Sequence, residues 1–459
     1  MQDLTQGSIS NHLFKTAGFM LVTMIAQTLY FLVDLYWVGR LGKEAVAGVA
    51  VAGNLTFIVL AISQMLGVGT TTLVSHAAGQ RNHERALLVF NQSQLLSIIV
   101  GAAFLVLAML FRTAYARTLS ADETTATLAA DYLLWFIPAM GLQFAIVAMG
   151  AALRGIGNFR PGMIVQTATV VLNIVLAPIL MFGWMTGRPM GVAGTAMATL
   201  IAVLVGVAWL GTYFVGKDAY LKFLGRDMKP QLGLWSAILK IGLPAGAEFA
   251  LMAVYLMIVY TVTRPFGAAA QAGFGIGMRI VQALFMPVVA LGFAVAPVAG
   301  QNFGARLGPR VKSVFKTASA MAAGVMFAAA VACNIAPAAL IRIFSDDPAV
   351  IAVGDEYLRI ISWNFVASGL VFVTSSMFQA MGNTIPPLLA SISRLLIIAV
   401  PVILLSRLPG FELRWIWYLS VVAILMQLTI TLLLLRREFR LRLDPMGVAP
   451  IPGSAPATS

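Results

Sequence analysis

Long apolar stretches separated by short polar segments run through the whole chain. Twelve such windows contain few charged residues: 12–38, 45–73, 87–111, 131–153, 162–184, 191–215, 235–263, 270–298, 312–340, 356–379, 387–408 and 414–435. A helix of about 20 apolar residues crosses the hydrocarbon core of a bilayer. The pattern therefore predicts an all-α polytopic membrane protein with twelve transmembrane helices.

The two halves of the chain match each other at a fixed offset of 225 residues, without a gap. Identical residues at this offset are spread along the whole length: Lys15 and Lys240, Gly42 and Gly267, Gly79 and Gly304, Arg81 and Arg306, Tyr132 and Tyr357, and Pro161 and Pro386. Each half holds six windows, so both halves enter the membrane from the same side. Parallel repeats of this kind place a substrate site between two lobes that rock against each other.

The repeat also predicts the domain organisation. We expect an N-terminal six-helix lobe at 1–216, a cytoplasmic linker at 217–234, a C-terminal six-helix lobe at 235–440 and a flexible cytoplasmic tail at 441–459.

Composition supports a membrane protein, since 60% of the residues are hydrophobic and only 10% are charged, against about 25% charged in soluble domains. The net charge of +13 would suggest nucleic-acid binding in a soluble protein. Here, however, 18 of the 30 Lys and Arg fall in the segments on one side of the predicted membrane. Basic residues concentrate on the cytoplasmic side, so we expect both termini in the cytoplasm and no nucleic-acid partner. The single cysteine, Cys333, excludes an intrachain disulfide.

Several motifs together resemble the multidrug and toxic compound extrusion (MATE) family, in its prokaryotic branch. They are VDLYWVGRLGKEAVAG at 33–48, AAGQRNHERA at 77–86, LRGIGNFRP at 153–161, LNIVLAP at 172–178, GVAGTAMAT at 191–199 and IGLPAGAE at 241–248. The resemblance implies a secondary antiporter with a central cavity, which exports amphipathic, cationic organic compounds in exchange for H⁺ or Na⁺ and needs no cofactor. The resemblance also implies a location in the bacterial inner membrane, and we expect a monomer.

Asp34 is the first candidate coupling residue. An ionisable group at mid-bilayer depth costs at least ~2.5–3.5 kcal/mol, which makes it a functional hypothesis by default. The repeat counterpart of Asp34 is Val259, so the acid breaks the symmetry of the chain, as a coupling site in one lobe would. The alternative is an ordinary charge near the outer end of the first span. In the family that this chain resembles, the acid of the first span stands at the motif position that Asp34 occupies here.

Asn173, Thr195 and Thr199 form a second candidate group around that acid. The resemblance implies that Asn173 and Thr199 belong to a hydrogen-bond and cation cluster and that Thr195 supplies a backbone carbonyl. Ala177 stands where the related pattern has an Asp. Because hard cations favour oxygen ligands with compensating charge, the missing carboxylate favours H⁺ over Na⁺. Interhelical packing is the alternative role for these three residues.

Glu248 follows Pro244 by four residues in the seventh span. Proline frees a backbone carbonyl one turn earlier, so Glu248 could face a wetted cavity as part of a second cation site, or it could be a charge at the cytoplasmic boundary. The other candidates for the substrate cavity are Gln27, Tyr30, Asn54, Gln64 and Arg279. Arg394 in the eleventh span is expected to extend toward an interface.

Two other functions remain open from the residues alone. A flippase for lipid-linked intermediates would need more cationic side chains than Arg279 and Arg394 to hold a pyrophosphate. A membrane-embedded enzyme would need a nucleophile and base, or clustered His and Asp, at one depth. The chain has three histidines and shows neither pattern, so we expect no enzyme and no metal site.

Overall fold

The computed structural model describes residues 1–120, 122–185, 187–216 and 219–446. Residues 217–218 of the predicted linker and 447–459 of the predicted tail lie outside the described residues. The described chain forms fifteen α-helices: α1 Ile9–Gly39, α2 Lys43–Gly53, α3 Leu55–Gly79, α4 His83–Leu119, α5 Glu123–Gly155, α6 Arg160–Phe182, α7 Val192–Thr212, α8 Leu232–Thr263, α9 Ala268–Gly304, α10 Gly308–Ile335, α11 Pro337–Arg342, α12 Pro348–Ile361, α13 Phe365–Ala380, α14 Ile385–Leu405 and α15 Leu413–Arg442.

Twelve helical segments of the described chain are long and apolar enough to cross a membrane. Two of them are each made of two consecutive helices, α2 with α3 and α12 with α13. No strand occurs in the described ranges. The prediction of an all-α protein with twelve transmembrane helices is thus confirmed.

Two helices begin well before the apolar windows that predicted them. Helix α5 begins at Glu123 and α12 at Pro348, each eight residues before the apolar window that predicted it. Asp122 caps the first of these helices by accepting a hydrogen bond from the backbone N–H of Thr125 at 2.8 Å. Caps and first turns favour polar residues because they satisfy the free N–H groups of a helix start, so a hydropathy window omits them.

The internal repeat is visible in the backbone. The segment Lys43–Gly79 has its counterpart in Ala268–Gly304, and Glu123–Gly155 in Pro348–Ala380, both at an offset of 225 residues. Left-handed backbone conformations recur at the same offset: Gly42 and Gly267 with φ of 110° and 89°, Gly157 and Gly382 with 78° and 74°, and Arg81 and Arg306 with 55° and 59°. Non-glycine residues adopt this region at a cost, so the shared strain at the two arginines indicates a shared turn.

Contacts divide the chain into two compact units. Unit 1 comprises Met1–Gln2, Gly18–Val74 and Asn82–Ala250. In it, two buried amides of α4 bind the segment that precedes α8. Asn91 donates to the carbonyl of Lys222 at 2.9 Å and accepts from the N–H of Leu224 at 3.0 Å. Gln92 donates to the carbonyls of Asp227 and Lys229 at 2.6 and 2.7 Å.

Unit 2 comprises Asp3–Ala17, Ser75–Arg81 and Leu251–Ser459, the last described as far as residue 446. Here the segment that precedes α1 is bound by two buried amides near the end of α9. Gln301 Oε1 accepts the N–H of Leu4 at 3.0 Å, and Asn302 Nδ2 donates to the Leu4 carbonyl at 3.1 Å. The start of α1 is thereby fixed to α9, because both peptide groups of a fully buried residue are engaged.

Candidate functional site

One face of α1 carries Tyr30 and Asp34. Residues four apart lie on the same helix face, and the charge of Asp34 acts on Tyr30. Asp34 Oδ1 is buried and accepts no hydrogen bond within the described structure. A carboxylate oxygen out of contact with water and without a donor is costly in its charged form. The site therefore begins with an acid that needs a proton or a cation.

A hydrogen-bond network next to this acid joins α1, α6 and α7. The Tyr30 hydroxyl is 3.1 Å from Thr199 Oγ1. Asn173 Nδ2 donates to the same oxygen at 2.9 Å, and Thr199 Oγ1 also lies 3.1 Å from the carbonyl of Thr195. Asn173 Oδ1, like the Asp34 oxygen, is buried and unpartnered in the described chain. The oxygens of Asp34 and Asn173 are thus two unpartnered acceptors, one beside this hydrogen-bond network and one within it.

Close packing of α6 against α7 brings Asn173 and Thr199 together. A Cβ atom at Gly194 would lie 2.7 Å from backbone atoms of Leu180 and Met181. A Cβ at Gly206 would lie 3.0 Å from Thr169. Glycine at these two positions lets the helix backbones approach, as small residues do in membrane bundles. The polar side chains between them are then within hydrogen-bond reach.

The structure places each residue of the predicted cluster. Asn173, Thr195 and Thr199 are buried and lie together. The Thr195 hydroxyl itself donates to the carbonyl of Val192 at 2.8 Å, which leaves its backbone carbonyl to accept from Thr199. Ala177, at the position of the absent acid, is 1% exposed.

Tyr132 was not among the predicted site residues. It is buried on α5 and lies within electrostatic range of both Tyr30 and Asp34. Tyr30 itself was predicted only as a residue of the substrate cavity, whereas its hydroxyl belongs to the network. Tyr132 and Tyr357 match in the repeat, and this shared polar residue in an apolar span was the available signal.

Glu248 lies on α8, at a partly exposed position where this helix packs against α3. A Cβ at Gly246 would approach the carbonyl of Ala61 to 2.6 Å. Glu248 therefore lies on a different helix pair from Asn173 and Thr199. A role in a second cation site stays a prediction.

The predicted cavity residues differ in exposure. Gln27 and Asn54 in unit 1 and Arg279 in unit 2 are exposed, and Gln64 is half-buried. Asn54 separates α2 from α3, so its side chain stands at a break in a transmembrane segment. The contribution of these residues to substrate binding stays a prediction.

Known proteins resemble this chain over nearly its whole length. It is 25% identical over 406 residues to the probable multidrug resistance protein YoeA of Bacillus subtilis, with 87% of each chain covered. It is 26% identical over 432 residues to the multidrug export protein MepA of Staphylococcus aureus, with 93% of each covered. A FAD transporter of Shewanella oneidensis is 24% identical over 372 residues, which cover 81% of this chain and 82% of the relative.

Solved structures share the fold. A MATE transporter in the bent conformation superposes with a TM-score of 0.91 at 23% identity, covering 97% of this chain and 98% of that one. A multidrug resistance MATE family transporter of the MOP superfamily gives a TM-score of 0.88 at 24% identity, with 97% and 98% covered. These structures show the shared fold. The relatives named above are transport and export proteins, so the enzyme and flippase alternatives are not favoured.

The MatE family profile matches residues 20–179 and 244–405. These two stretches comprise more than half of the 459 residues and correspond to the two halves of the repeat. With twelve membrane-spanning segments in the part of the chain that the structure describes, the chain belongs to the MatE family of multidrug and toxic compound extrusion transporters, which need no cofactor.

Proposed function

We propose that this protein exports amphipathic organic cations across the bacterial inner membrane in exchange for protons, with Asp34 as the coupling group. The observation that carries the proposal is the buried, unpartnered carboxyl oxygen of Asp34 beside the network of Tyr30, Asn173 and Thr199. A relative named as a multidrug export protein covers 93% of the chain. Because another relative is named as a FAD transporter, substrates other than organic cations also belong in the transport test.

The coupling follows from competition for one negative charge. When the site is open to the outside, a proton neutralises Asp34, and its carboxyl oxygen no longer carries an unpaired buried charge. When the site is open to the cytoplasm, the proton leaves and the carboxylate attracts a cationic substrate. Substrate and proton bind in turn, and alternating access converts this competition into exchange.

We favour protons over sodium because the neighbourhood of Asp34 offers a single carboxylate. The other polar groups of the network are a phenol, two threonines and one amide, which carry no compensating charge. The described residues hold no group of three or more His, Cys, Asp and Glu side chains that could bind a metal ion. Hard cations favour oxygen ligands with compensating charge, of which this network supplies one carboxylate, whereas a proton needs only one.

The energetics are sufficient for export. Exchange of one proton for a monovalent cation moves no net charge, so the pH gradient drives it. One unit of pH difference is worth about 1.36 kcal/mol, which supports roughly a tenfold substrate gradient. We further propose that both termini lie in the cytoplasm, as the distribution of basic residues favours. We also propose that the protein is a monomer.

Proteoliposomes provide the test. Ethidium transport is measured with a pH gradient and a sodium gradient imposed separately, for the wild type and for Asp34→Asn and Asp34→Glu. The proposal expects transport with the pH gradient alone, loss in Asp34→Asn and partial recovery in Asp34→Glu. Transport driven only by sodium would reject proton coupling, and undiminished transport in Asp34→Asn would reject the role of Asp34.

A further inference from the structure

The last two turns of α15 in unit 2 carry a cluster of basic side chains. Arg436, Arg437 and Arg440 are all exposed there. Residues three or four apart share a helix face, so Arg436 and Arg437 both adjoin Arg440. None of the three forms an ion pair with any residue that the structure describes. These three residues are called the α15 basic cluster below.

The acidic side chains at this end of α15 already have partners. Glu438 Oε1 lies 3.3 Å from Arg442 Nη1 and accepts a hydrogen bond from Asn383 Nδ2 at 3.1 Å. Asp444 Oδ1 lies 2.6 Å from Lys312 Nζ on α10. Helices α10 and α14 contain no Asp or Glu. The positive charge of the α15 basic cluster is therefore not neutralised by these elements.

Tertiary contacts hold this end of α15 in place. Arg442 Nη1 donates to the carbonyl of Met381, which follows α13, at 2.6 Å. The ring of Phe439 packs edge to face against Phe315 of α10, with 5.8 Å between the ring centres. The backbone that carries the cluster is thus fixed before any ligand binds. A preorganised surface loses less conformational freedom on binding than a flexible one.

The length of α15 places the cluster at the depth of lipid headgroups. Its 30 residues span about 45 Å at 1.5 Å per residue, whereas the hydrocarbon core is about 30 Å thick. Trp415 and Tyr418 near its start are exposed, and such aromatic residues are typical of the membrane interface. About 20 residues from Trp415 cross the core and end at Leu435. Arg436 therefore begins the part of α15 that extends among the lipid phosphates.

The internal repeat shows that the fold does not require these charges. At the offset of 225 residues, the counterparts of the cluster are Gly211, Thr212 and Val215. They lie at and just beyond the end of α7, and none of them carries a charge. The equivalent helix of the first half thus ends without a basic cluster, so the cluster is a feature of the second half alone.

We propose that the α15 basic cluster binds the headgroup phosphate of an anionic phospholipid such as phosphatidylglycerol. Guanidinium groups bind phosphate through parallel charge-assisted hydrogen bonds. An acyl chain of the same lipid would lie against Leu433, which is 61% exposed one turn before Arg437. A zwitterionic headgroup carries its own cation, which the cluster repels. Lipid binding here does not depend on the proposed export function.

Native mass spectrometry of the full-length protein in detergent resolves individual bound lipids. The probes are dioleoylphosphatidylglycerol and dioleoylphosphatidylcholine, which differ only in the headgroup, and glycerol 3-phosphate, which has no acyl chains. The wild type should bind phosphatidylglycerol at least tenfold more tightly than either of the others. An arginine near an anionic lipid surface contributes roughly fivefold to binding. Arg437→Gln should therefore weaken binding of phosphatidylglycerol about fivefold.

The triple variant Arg436→Gln, Arg437→Gln and Arg440→Gln should weaken it about a hundredfold and leave binding of phosphatidylcholine unchanged. Replacement of all three by lysine should retain part of the preference, because lysine binds phosphate as a point charge.

The matched control removes the same charge from three exposed arginines elsewhere in unit 2, by Arg264→Gln, Arg342→Gln and Arg407→Gln. It should keep the preference of the wild type. Thermal unfolding without lipid shows which variants are folded, and Arg437→Gln carries the test where the triple variant is not. A wild type without preference for phosphatidylglycerol overturns the site, as does an equal loss in the control. Equally tight binding of glycerol 3-phosphate would replace the lipid by a soluble phosphate.

Discussion

The two halves of this transporter share a backbone and differ in charge. Each joins its first helix to its last by a hydrogen bond between a tyrosine hydroxyl and the hydroxyl of a threonine or serine, at 3.1 Å in the first half and 3.0 Å in the second. Beside the first bond stand an acid and an amide, Asp34 and Asn173. Beside the second stand the arginine Arg394 and two apolar side chains, Val259 and Ile398.

The difference separates what the fold requires from what the chemistry requires. The tyrosine bond recurs because it fastens equivalent helices, so it belongs to the scaffold. The buried acid occurs once, and burial of an unpaired carboxylate is unfavourable. The second half has Val259 at the position of this acid, so the fold does not require a carboxyl group there. We infer that the first half keeps Asp34 for function. Substitutions in one half at a time separate the two contributions.

The largest effect is expected from Asp34→Asn. An amide cannot exchange a proton, so export driven by a pH gradient should fall to the background of empty liposomes. The fold should persist, because the change replaces a buried carboxyl with a neutral group of the same shape. Thermal unfolding in detergent and ethidium export measure the two effects. Asp131→Asn, an exposed acid on α5, is the control and should export normally. Equal export by both variants would contradict the assignment.

A smaller effect is expected from Asn173→Leu, which makes the first half resemble the second. Thr199 loses a buried donor at 2.9 Å, and a net hydrogen bond is worth about 1 kcal/mol. Export should fall roughly fivefold, since 1.4 kcal/mol corresponds to a factor of ten. The initial rate of ethidium export at saturating pH gradient gives the value. Unchanged export would mean that Asn173 only packs helices.

Tyr30→Phe and Tyr255→Phe test whether the two tyrosines share a structural role only. Each variant loses one neutral hydrogen bond, so each should lower the free energy of unfolding by about 0.5–1.5 kcal/mol. Only Tyr30→Phe should displace the pH dependence of ethidium export, because Tyr30 adjoins the titrating acid. A displacement of equal size in Tyr255→Phe would place coupling in both halves.

The smallest effect is expected at the shared turns. Arg81 and Arg306 have φ of 55° and 59°, a region that costs an L-residue roughly 1–2 kcal/mol. Glycine removes that strain but adds freedom to the unfolded chain. Arg306→Gly and Arg81→Gly should therefore each raise the free energy of unfolding by less than about 1 kcal/mol, measured by thermal unfolding. Opposite signs would show that the turns are not equivalent.

The sequence predicted the twelve helices and the repeat because both follow from local composition and fixed spacing. It also singled out Asn173 and Thr199, since amides and hydroxyls are conspicuous in apolar spans. It could not place Tyr30 on Thr199, because the two are 169 residues apart and meet only through packing of α1 against α7. It also missed Tyr132, which becomes a neighbour of Asp34 only in the folded structure.

The helix starts show the same limit. Hydropathy identifies the part of a helix that lies in lipid, whereas α5 begins at a capped polar turn eight residues earlier. Asp122 can be identified as the cap only when the start of the helix is already known. The structure is needed to show which helices are in contact and which polar residue caps which turn, and therefore the chemistry that depends on them.

The most direct test of the central claim counts protons. Purified protein in weakly buffered detergent, just above the pH at which Asp34 ionises, is mixed with saturating ethidium, and a pH indicator records the protons released. The account predicts proton release by the wild type on binding the cation, rising as the starting pH is lowered, and none from Asp34→Asn. Equal release from both proteins would contradict it, because the exchanged proton would then reside on another group.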